Sequence, residues 1–386
     1  MPKLIRITTV PLSLKLLLKG QMKFMKNQGW EVLMVSADGK EKAQVELKEE
    51  VRHEVIPFTR EITPFQDLYC LYKLIILFIK EKPDIVHTHT PKAGLLGMMA
   101  AYITGVKIRV HTLAGFPFMA ALGNRKRFLE SIEKFTFRFA TNIWPNSFGL
   151  KEMIISKNLC SEDKVMVVGR GSSNGVDLEK FNRGSLLENH LIAAIIRMTV
   201  VKDEFIVLFV GRLVKDKGIE ELVKAFKQFK HNSKSKLVLL GSFEQHLSPI
   251  SEETIKTISD SSNIIQIDWT DHVEHYMALS DVLVHSSHRE GFPNVLLEAG
   301  AMELPIICSD IIGNNEIVEN EKTGLIFPVK DTQKLLSCLE FAFENRVKMQ
   351  DFATNLNQKV KTFYERSQIH NTIFFQYNQL LNEAKH

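Results

Sequence analysis

The chain has 386 residues, 45% of them hydrophobic and 24% charged, a mixture that excludes a disordered or collagen-like polymer. Its length allows two or more packed cores. Against 49 Lys and Arg stand 45 Asp and Glu, and the resulting formal charge of +4 is too small for the concentrated footprint that nucleic acid requires.

Short apolar or β-branched runs at 4–10, 31–36, 84–87, 107–112, 142–144 and 165–168 read as buried strands. Helix-period segments at 65–80, 91–104, 125–140 and 147–157 alternate with them, which predicts a parallel sheet covered on both faces. The pattern restarts with strands at 205–210, 236–240, 264–267, 282–285, 305–308 and 324–327. Helices at 218–231, 273–279, 293–302 and 331–345 separate them. Between the two series lies a turn-rich stretch, 175–203, in which residues 188–200 follow neither period cleanly. The expected class is α/β, with two doubly wound Rossmann-like domains, 1–180 and 181–362, facing a central cleft. A terminal helix, 363–386, is expected to pack back on the first. Ligands of such sheets bind beyond the C-terminal strand ends.

Cys70, Cys160, Cys308 and Cys338 show no CxxC spacing, so neither a zinc knuckle nor a disulfide framework is expected. The N-terminal residues run straight into strand-like sequence with no small-residue cleavage site. The most apolar window, 68–79, contains Lys73 and is well short of the roughly 20 residues of a bilayer span. The expected location is cytoplasmic.

Chemistry-bearing residues concentrate in the second half. After the strand 282–285 come Ser286, Ser287, His288, Arg289, Glu290, Gly291, Phe292, Pro293 and Asn294, then a helix carrying Glu298. Pro293 suits a first helical position. The free N–H groups of Asn294 and Val295 would then offer a positive helix end to an anion. Two carboxylates flanking an anion site make sense as acceptors for hydroxyls on either side of a diphosphate, as in a sugar nucleotide. A surface acid and a capping acid is the plainer alternative for either Glu alone. After the strand 205–210, Gly211 permits a tight turn, and Arg212 and Lys217 bracket the next helix start. Two fixed cations there could neutralise a diphosphate leaving group without a metal, although a solvated basic loop has the same composition. A third loop holds Gly169, Gly171, Asn174 and Gly175. It does not fit G-x-G-x-x-G followed by a helix, which disfavours a dinucleotide fingerprint.

Taken together these stretches resemble the retaining, nucleotide-sugar-dependent glycosyltransferases of family 4, which have the two-domain GT-B fold. The resemblance spans nearly the whole chain and rests most on E-x7-E, here Glu290 to Glu298. Asn174-Gly175-Val176-Asp177, the run from Gly211 to Gly218, and Thr323-Gly324-Leu325 before Pro328 support it. It implies that Glu290 binds hydroxyls of the transferred sugar and Glu298 the ribose. Arg212 and Lys217 would hold the diphosphate, and the segment from Asp268 to Val273 would border the base. It implies no cofactor and no metal, the nucleotide sugar, with UDP as the expected nucleotide, being a co-substrate. The implied acceptor is a glycan or polyprenyl-diphosphate-linked sugar in surface polysaccharide synthesis. His87 and His89, at the end of an N-terminal strand, look like the family's Thr/His-rich edge. As an H-x-H pair they raise a metal, but no carboxylate is near them in sequence. One departure stands out. Where relatives carry Tyr-Thr-x-His-Gly-Phe, this chain has His111, Thr112, Leu113, Ala114, Gly115 and Phe116, so the usual His is Ala114. His111 is either a substitute shifted in register or a buried strand residue. A sugar-nucleotide 2-epimerase of the same fold and a non-catalytic nucleotide-sugar-binding subunit are the competing readings.

Finally, Lys15, Lys19, Lys23 and Lys26 fall at helical spacing near Leu16, Leu17, Met22 and Phe24. Arg125, Lys126 and Arg127 follow an apolar stretch. Basic and apolar groups together would suit docking on an anionic membrane, while a solvated helix face explains any single stripe.

Overall fold

The computed structural model describes residues 1–199, 201, 203–244 and 248–385. They divide into two compact units. One is Met1–Asn174 together with the segment from Ser367 onward, and the other is Gly175–Arg366. The division thus falls six residues before the expected one. Within the second stretch, residues 188–200 contain a helix, Glu188–Met198, and Val200 lies outside the described residues.

The first unit holds β1 (Lys3–Ile7), β2 (Glu31–Ser36), β3 (His53–Val55), β4 (Ile85–His89), β5 (Ile108–Leu113) and β6 (Asn142–Pro145). They form one parallel sheet ordered β3-β2-β1-β4-β5-β6. The second unit holds β7 (Phe205–Val210), β8 (Ser235–Leu240), β9 (Ile264–Ile267), β10 (Val282–His285), β11 (Ile306–Ser309) and β12 (Leu325–Phe327). Their order, β12-β11-β10-β7-β8-β9, is the same winding repeated. Strands buried on both faces explain the continuous apolar runs, such as Phe205–Val210. In each sheet the chain reverses its winding at one point, between β1 and β4 and between β7 and β10, where loops diverge and leave room for a ligand.

Three local expectations change. The run 165–168 is no strand, because only Val165 bridges to Ile143 before the chain turns into the glycine-rich loop. Residues 53–55 do pair, as the short edge strand β3. The basic stripe near the N-terminus is broken. Lys15 lies on the helix Pro11–Leu17 and Lys23 and Lys26 on the helix Gln21–Asn27, with Lys19 in the break before Gly20 at φ +83°. Lys23 pairs with Glu50 and Lys26 donates to the Glu50 carbonyl, while Met22 is buried.

The terminal helix, Arg366–Glu383, packs on the first sheet. Tyr377 is fully buried between Trp30 and Trp144, its ring 5.6 and 5.4 Å from theirs, and its hydroxyl meets Arg6 and His87. Among the described residues no helix is long and apolar enough to cross a membrane. The helix Pro64–Glu81 nevertheless has two apolar faces. Leu71, Leu74, Leu77 and Phe78 are buried, whereas Phe65, Leu68, Tyr69, Tyr72, Ile76 and Ile79 are exposed, Phe65 at 92%. At 100° per residue those six occupy one arc of roughly 100°.

Candidate active site in the second unit

The winding of the second sheet brings the loops after β7 and β10 together. Lys215–Lys217 is one 3-10 turn, and Gly218 ends it in the left-handed region at φ +69° before the helix Ile219–Gln228 begins. A Cβ on Gly218 would lie 2.1 Å from the Ser286 carbonyl oxygen, so only glycine allows this approach. The Ser286 hydroxyl donates to the carbonyls of Lys217 and Gly218, at 2.9 and 3.0 Å. Arg289 grips the Asp216 carboxylate at 2.7 Å, and the His288 amide donates to the Asp216 carbonyl at 2.8 Å. His288 also stands 3.0 Å from Glu221 on the following helix. The two loops therefore behave as one rigid edge.

Lys217 and Glu290, 73 residues apart in sequence, form an ion pair across that edge with side chains only 19% and 17% exposed. Ser287 donates to the same Glu290 oxygen at 2.9 Å, and His285 Nε2, from the last residue of β10, lies 3.3 Å from it. Burial alone would raise the Glu290 carboxyl, but the Lys217 ammonium and the His285 imidazole hold it well below the usual carboxylate range. Burial lowers the pKa of His285 in turn, against the pull of Glu290. Glu290 is thus an ionised acceptor at neutral pH.

Gly211 leaves β7 with its amide on the Leu240 carbonyl at 3.0 Å. Arg212 is half-exposed and held 3.0 Å from Glu244, so an anion arriving there would compete with a surface acid. The helix after β10 is Asn294–Ala301, with Pro293 at its N-cap and not, as expected, inside its first turn. Pro293 offers no side-chain oxygen, so the amides of Asn294 and Val295 have no cap from it. Phe292 is buried against Tyr364, rings 5.5 Å apart, and fixes the entry to that helix. Glu298 sits one turn inside, half-buried. Asp268 follows β9 and accepts from Gln266 at 3.2 Å, and Val273 opens the helix Val273–Ala278. All the donor-binding candidates therefore fall within one unit. His285, Ser287, Asp216 and Arg289 had no place in the sequence-based site. His285 reads as an ordinary strand end, and nothing in sequence pairs it with a residue five positions on.

The first-unit candidates are placed otherwise. His111 is buried within β5, its Nδ1 2.8 Å from the Thr88 hydroxyl and its ring so close to Gly94 that a Cβ there would meet it at 2.4 Å. Burial lowers its pKa to about 4. That is the setting of a packed, neutral core histidine, and Ala114 remains where relatives have theirs. Asn174 is buried too, its amide oxygen accepting from Gln21 at 2.8 Å and facing His370 at 2.9 Å. Its amide nitrogen donates to Lys19 at 3.1 Å. These bonds tie the glycine-rich loop to the helix Gln21–Asn27 and to His370. Gly171, at φ +92°, is buried in that loop. His89 is buried with its ring stacked 4.4 Å from His87. His87 faces the Arg6 guanidinium at 3.0 Å, which speaks against a cation held by these two rings.

Among the described residues one group has metal-ligating composition, His190, His272 and His275, with ligand atoms within 4.8 Å of one another. His275 Nε2 accepts from the Leu187 amide at 3.2 Å, so in the neutral ring Nδ1 carries the proton, 3.2 Å from Glu274. That ring has no lone pair to spare.

Two doubly wound units of identical strand order, with the paired loops at the switch point of the second, define the GT-B class. The solved structure of HepE from Anabaena in complex with UDP superposes with a TM-score of 0.80 at 19% identity, covering 98% of this chain and 100% of that one. The model of glycosyl transferases group 1 matches residues 195–359, and that of glycosyl transferase 4-like proteins matches residues 11–147. The chain is 35% identical over 384 residues to CapM of Staphylococcus aureus, a capsular polysaccharide biosynthesis glycosyltransferase, covering 99% of this chain and 98% of that one. It is 30% identical over 313 residues, 78% of this chain and 77% of the other, to an Escherichia coli UDP-Gal:alpha-D-GlcNAc-diphosphoundecaprenol alpha-1,3-galactosyltransferase. The chain belongs to this family of glycosyltransferases.

Proposed function

We propose that the protein transfers a sugar from a UDP-sugar, with retention and without a metal, to a glycan or polyprenyl-diphosphate-linked acceptor in surface polysaccharide synthesis. The observation that carries the reading is the Lys217–Glu290 pair at the switch point of the second sheet, with the uncapped start of the helix Asn294–Ala301 following in the same loop and Arg212 on the loop after β7. The names of the relatives support the donor and acceptor classes: UDP-Gal and a diphosphoundecaprenol-linked sugar for the E. coli enzyme, capsule synthesis for CapM.

In the proposed reaction the bond from the sugar's anomeric carbon to the diphosphate oxygen breaks while a bond to the acceptor oxygen forms on the same face. The acceptor proton passes to the departing diphosphate, so no protein base is required, in keeping with the burial of His111. Arg212 and Lys217 stabilise the charge that develops on the diphosphate. Glu290, kept ionised, accepts hydrogen bonds from sugar hydroxyls, and Glu298 from the ribose. Two cations at the diphosphate position make a divalent ion unnecessary.

We further place the protein in the cytoplasm, peripherally on the inner face of the cell membrane, with the outer face of the helix Pro64–Glu81 against lipid. Six exposed apolar side chains on one arc support this, with Lys73 and Lys80 at its edge as partners for anionic headgroups. This arc takes the place of the broken N-terminal stripe.

The test is turnover of UDP-sugars with a polyprenyl-diphosphate-sugar acceptor in the presence of EDTA, with the anomeric configuration of the product read by NMR. Glu290→Ala and Arg212→Ala are each expected to lower turnover by about a hundredfold or more. Full turnover in both variants overturns the site. An inverted product overturns retention, and abolition by EDTA overturns metal independence.

A further inference from the structure

Lys217 and Glu290 are each assigned a part of the donor, the diphosphate and the sugar hydroxyls, yet in the structure they are engaged with each other and their charges cancel. The hydrogen bonds that hold Glu290 fall on one oxygen. The Lys217 ammonium and the Ser287 hydroxyl, the latter at 2.9 Å, both donate to Oε1, and among the described residues no hydrogen bond reaches Oε2. A diphosphate arriving at Lys217 brings an excess of negative charge to this edge. Water screens that excess poorly, because both side chains are less than a fifth exposed.

His285 is placed to offset it. Its ring is buried at the end of β10, and Nε2 stands 3.3 Å from Glu290 Oε1 without a hydrogen bond to it or to any other group. A buried ring nitrogen left without a partner is costly, unless another state of the site employs it. The backbone that follows the ring is fixed. The Ser309 hydroxyl donates to the Ser287 carbonyl at 2.5 Å, and the Ser286 hydroxyl holds the carbonyls of Lys217 and Gly218. Burial is the largest influence on the ring and opposes its protonation. Glu290 favours protonation and Lys217 opposes it. Cys308, its register partner on β11, is a neutral thiol whose pKa burial pushes up. On the same edge, His288 is held by Glu221 at 3.0 Å, and Arg289 and Asp216 pair at 2.7 Å. His285 is therefore neutral while Lys217 faces Glu290. Once an anion shares the Lys217 charge, the opposing cation is offset and the carboxylate remains at 3.3 Å, well inside the range of about 4–6 Å over which an anion favours imidazolium.

We propose that His285 is a positioning residue that takes up a proton from solvent as the donor's diphosphate engages Lys217, so that donor binding is linked to protonation. The imidazolium Nε2–H then donates to Glu290 Oε1 in place of the ammonium. Glu290 stays ionised, with Oε2 available to a sugar hydroxyl. His285 acts through Glu290 and is assigned no contact with the sugar. The inference rests on the donor site proposed above.

UDP, which carries the diphosphate without the sugar, is the probe. Calorimetric titration of the full-length protein at pH 7.0, in two buffers of different ionisation enthalpy, counts the protons taken up per UDP bound. His285→Gln keeps a side-chain N–H donor near the place of Nε2 but does not titrate. The unmodified protein is expected to take up about half a proton more per UDP than this variant, the titration of UDP itself cancelling in the difference. Because binding takes up the proton, affinity relative to the variant should fall as pH rises, by about threefold from pH 6.5 to 7.5. In the unmodified protein alone, 15N spectra of the 13 histidines should show one imidazole moving toward its protonated form on saturation with UDP at pH 7.0. Equal proton counts in the two proteins, or no imidazole changing its charge, would overturn the proposal while leaving the donor site in place. Absence of UDP binding to the unmodified protein would instead overturn the donor site, and this inference with it.

Discussion

Removing the Lys217 ammonium while keeping its stem, as in Lys217→Met, isolates the contact on which the candidate active site turns. Breaking one partner out of a fully buried ion pair costs about 3–5 kcal/mol. Here both side chains are nearly a fifth exposed, and His285 stands 3.3 Å away to take up a proton, so a loss of about 2–3 kcal/mol at pH 7.5 is expected. The pH dependence is the sharper part. In the unmodified protein the Glu290 carboxyl is held below its unfolded value. Its stabilisation is therefore complete above the unfolded pKa, about 4.3, and is lost as pH falls further toward the folded value. Without the ammonium, burial dominates and pushes the same carboxyl above its unfolded value. The penalty in the variant is then greatest at neutral pH and shrinks as the carboxyl takes up a proton.

Urea unfolding at pH 7.5 and 5.0, followed by far-UV circular dichroism, reads this difference. The gap between the two proteins should narrow by about 1 kcal/mol or more at the lower pH. Adding His285→Gln to the variant should widen it again at pH 7.5, since no imidazole then remains to replace the lost charge. A gap equal at both pH values, or one that grows in acid, would refute the claim that Lys217 serves to keep a buried Glu290 ionised.

Gly218→Ala should cost about 2–4 kcal/mol and weaken UDP binding, because a left-handed backbone and a Cβ 2.1 Å from the Ser286 carbonyl must both be relieved; urea midpoints within 0.5 kcal/mol (about the noise of surface substitutions) would contradict the close approach. Glu133, buried on the helix Gly123–Phe139, has its carboxyl raised to about 7 by burial. Its folded form prefers the proton, so it costs stability that is absent below pH 4.3 and grows up to pH 7, and Glu133→Gln should stabilise by about 2–3 kcal/mol at pH 8 and by nothing at pH 4. Phe65→Ser with Tyr72→Ser should reduce sedimentation with phosphatidylglycerol-containing vesicles by about tenfold or more while leaving unfolding midpoints unchanged; unaltered sedimentation would remove the outer face of the helix Pro64–Glu81 from the membrane reading.

Most strands were legible in the chain because parallel strands covered on both faces read as unbroken apolar runs, although 165–168 read as a strand and the short edge strand β3 did not, and the restart of the series after residue 203 announced a second unit. The spacing from Glu290 to Glu298 and the run from Gly211 to Gly218 marked the two loops of the candidate site, since local sequence dictates a glycine turn and a helix start. Other features escaped for reasons of distance. Gly20 stands in the left-handed region between the helices Pro11–Leu17 and Gln21–Asn27, a break that a lysine spacing of four cannot announce. The helix Pro64–Glu81 looked like one apolar segment, and only packing shows which of its two faces is covered.

Composition and periodicity thus determined the class of fold and singled out the loops of the candidate site, because both depend on neighbours within a turn or a strand. Tertiary structure alone decided that Lys217 meets Glu290, that His285 attends them, that His111 is packed beneath Gly94, and that Arg6 is buried against the Tyr377 hydroxyl. Each of these contacts joins residues on different elements. Their energies arise from burial and charge in three dimensions, and no spacing along a single chain encodes them.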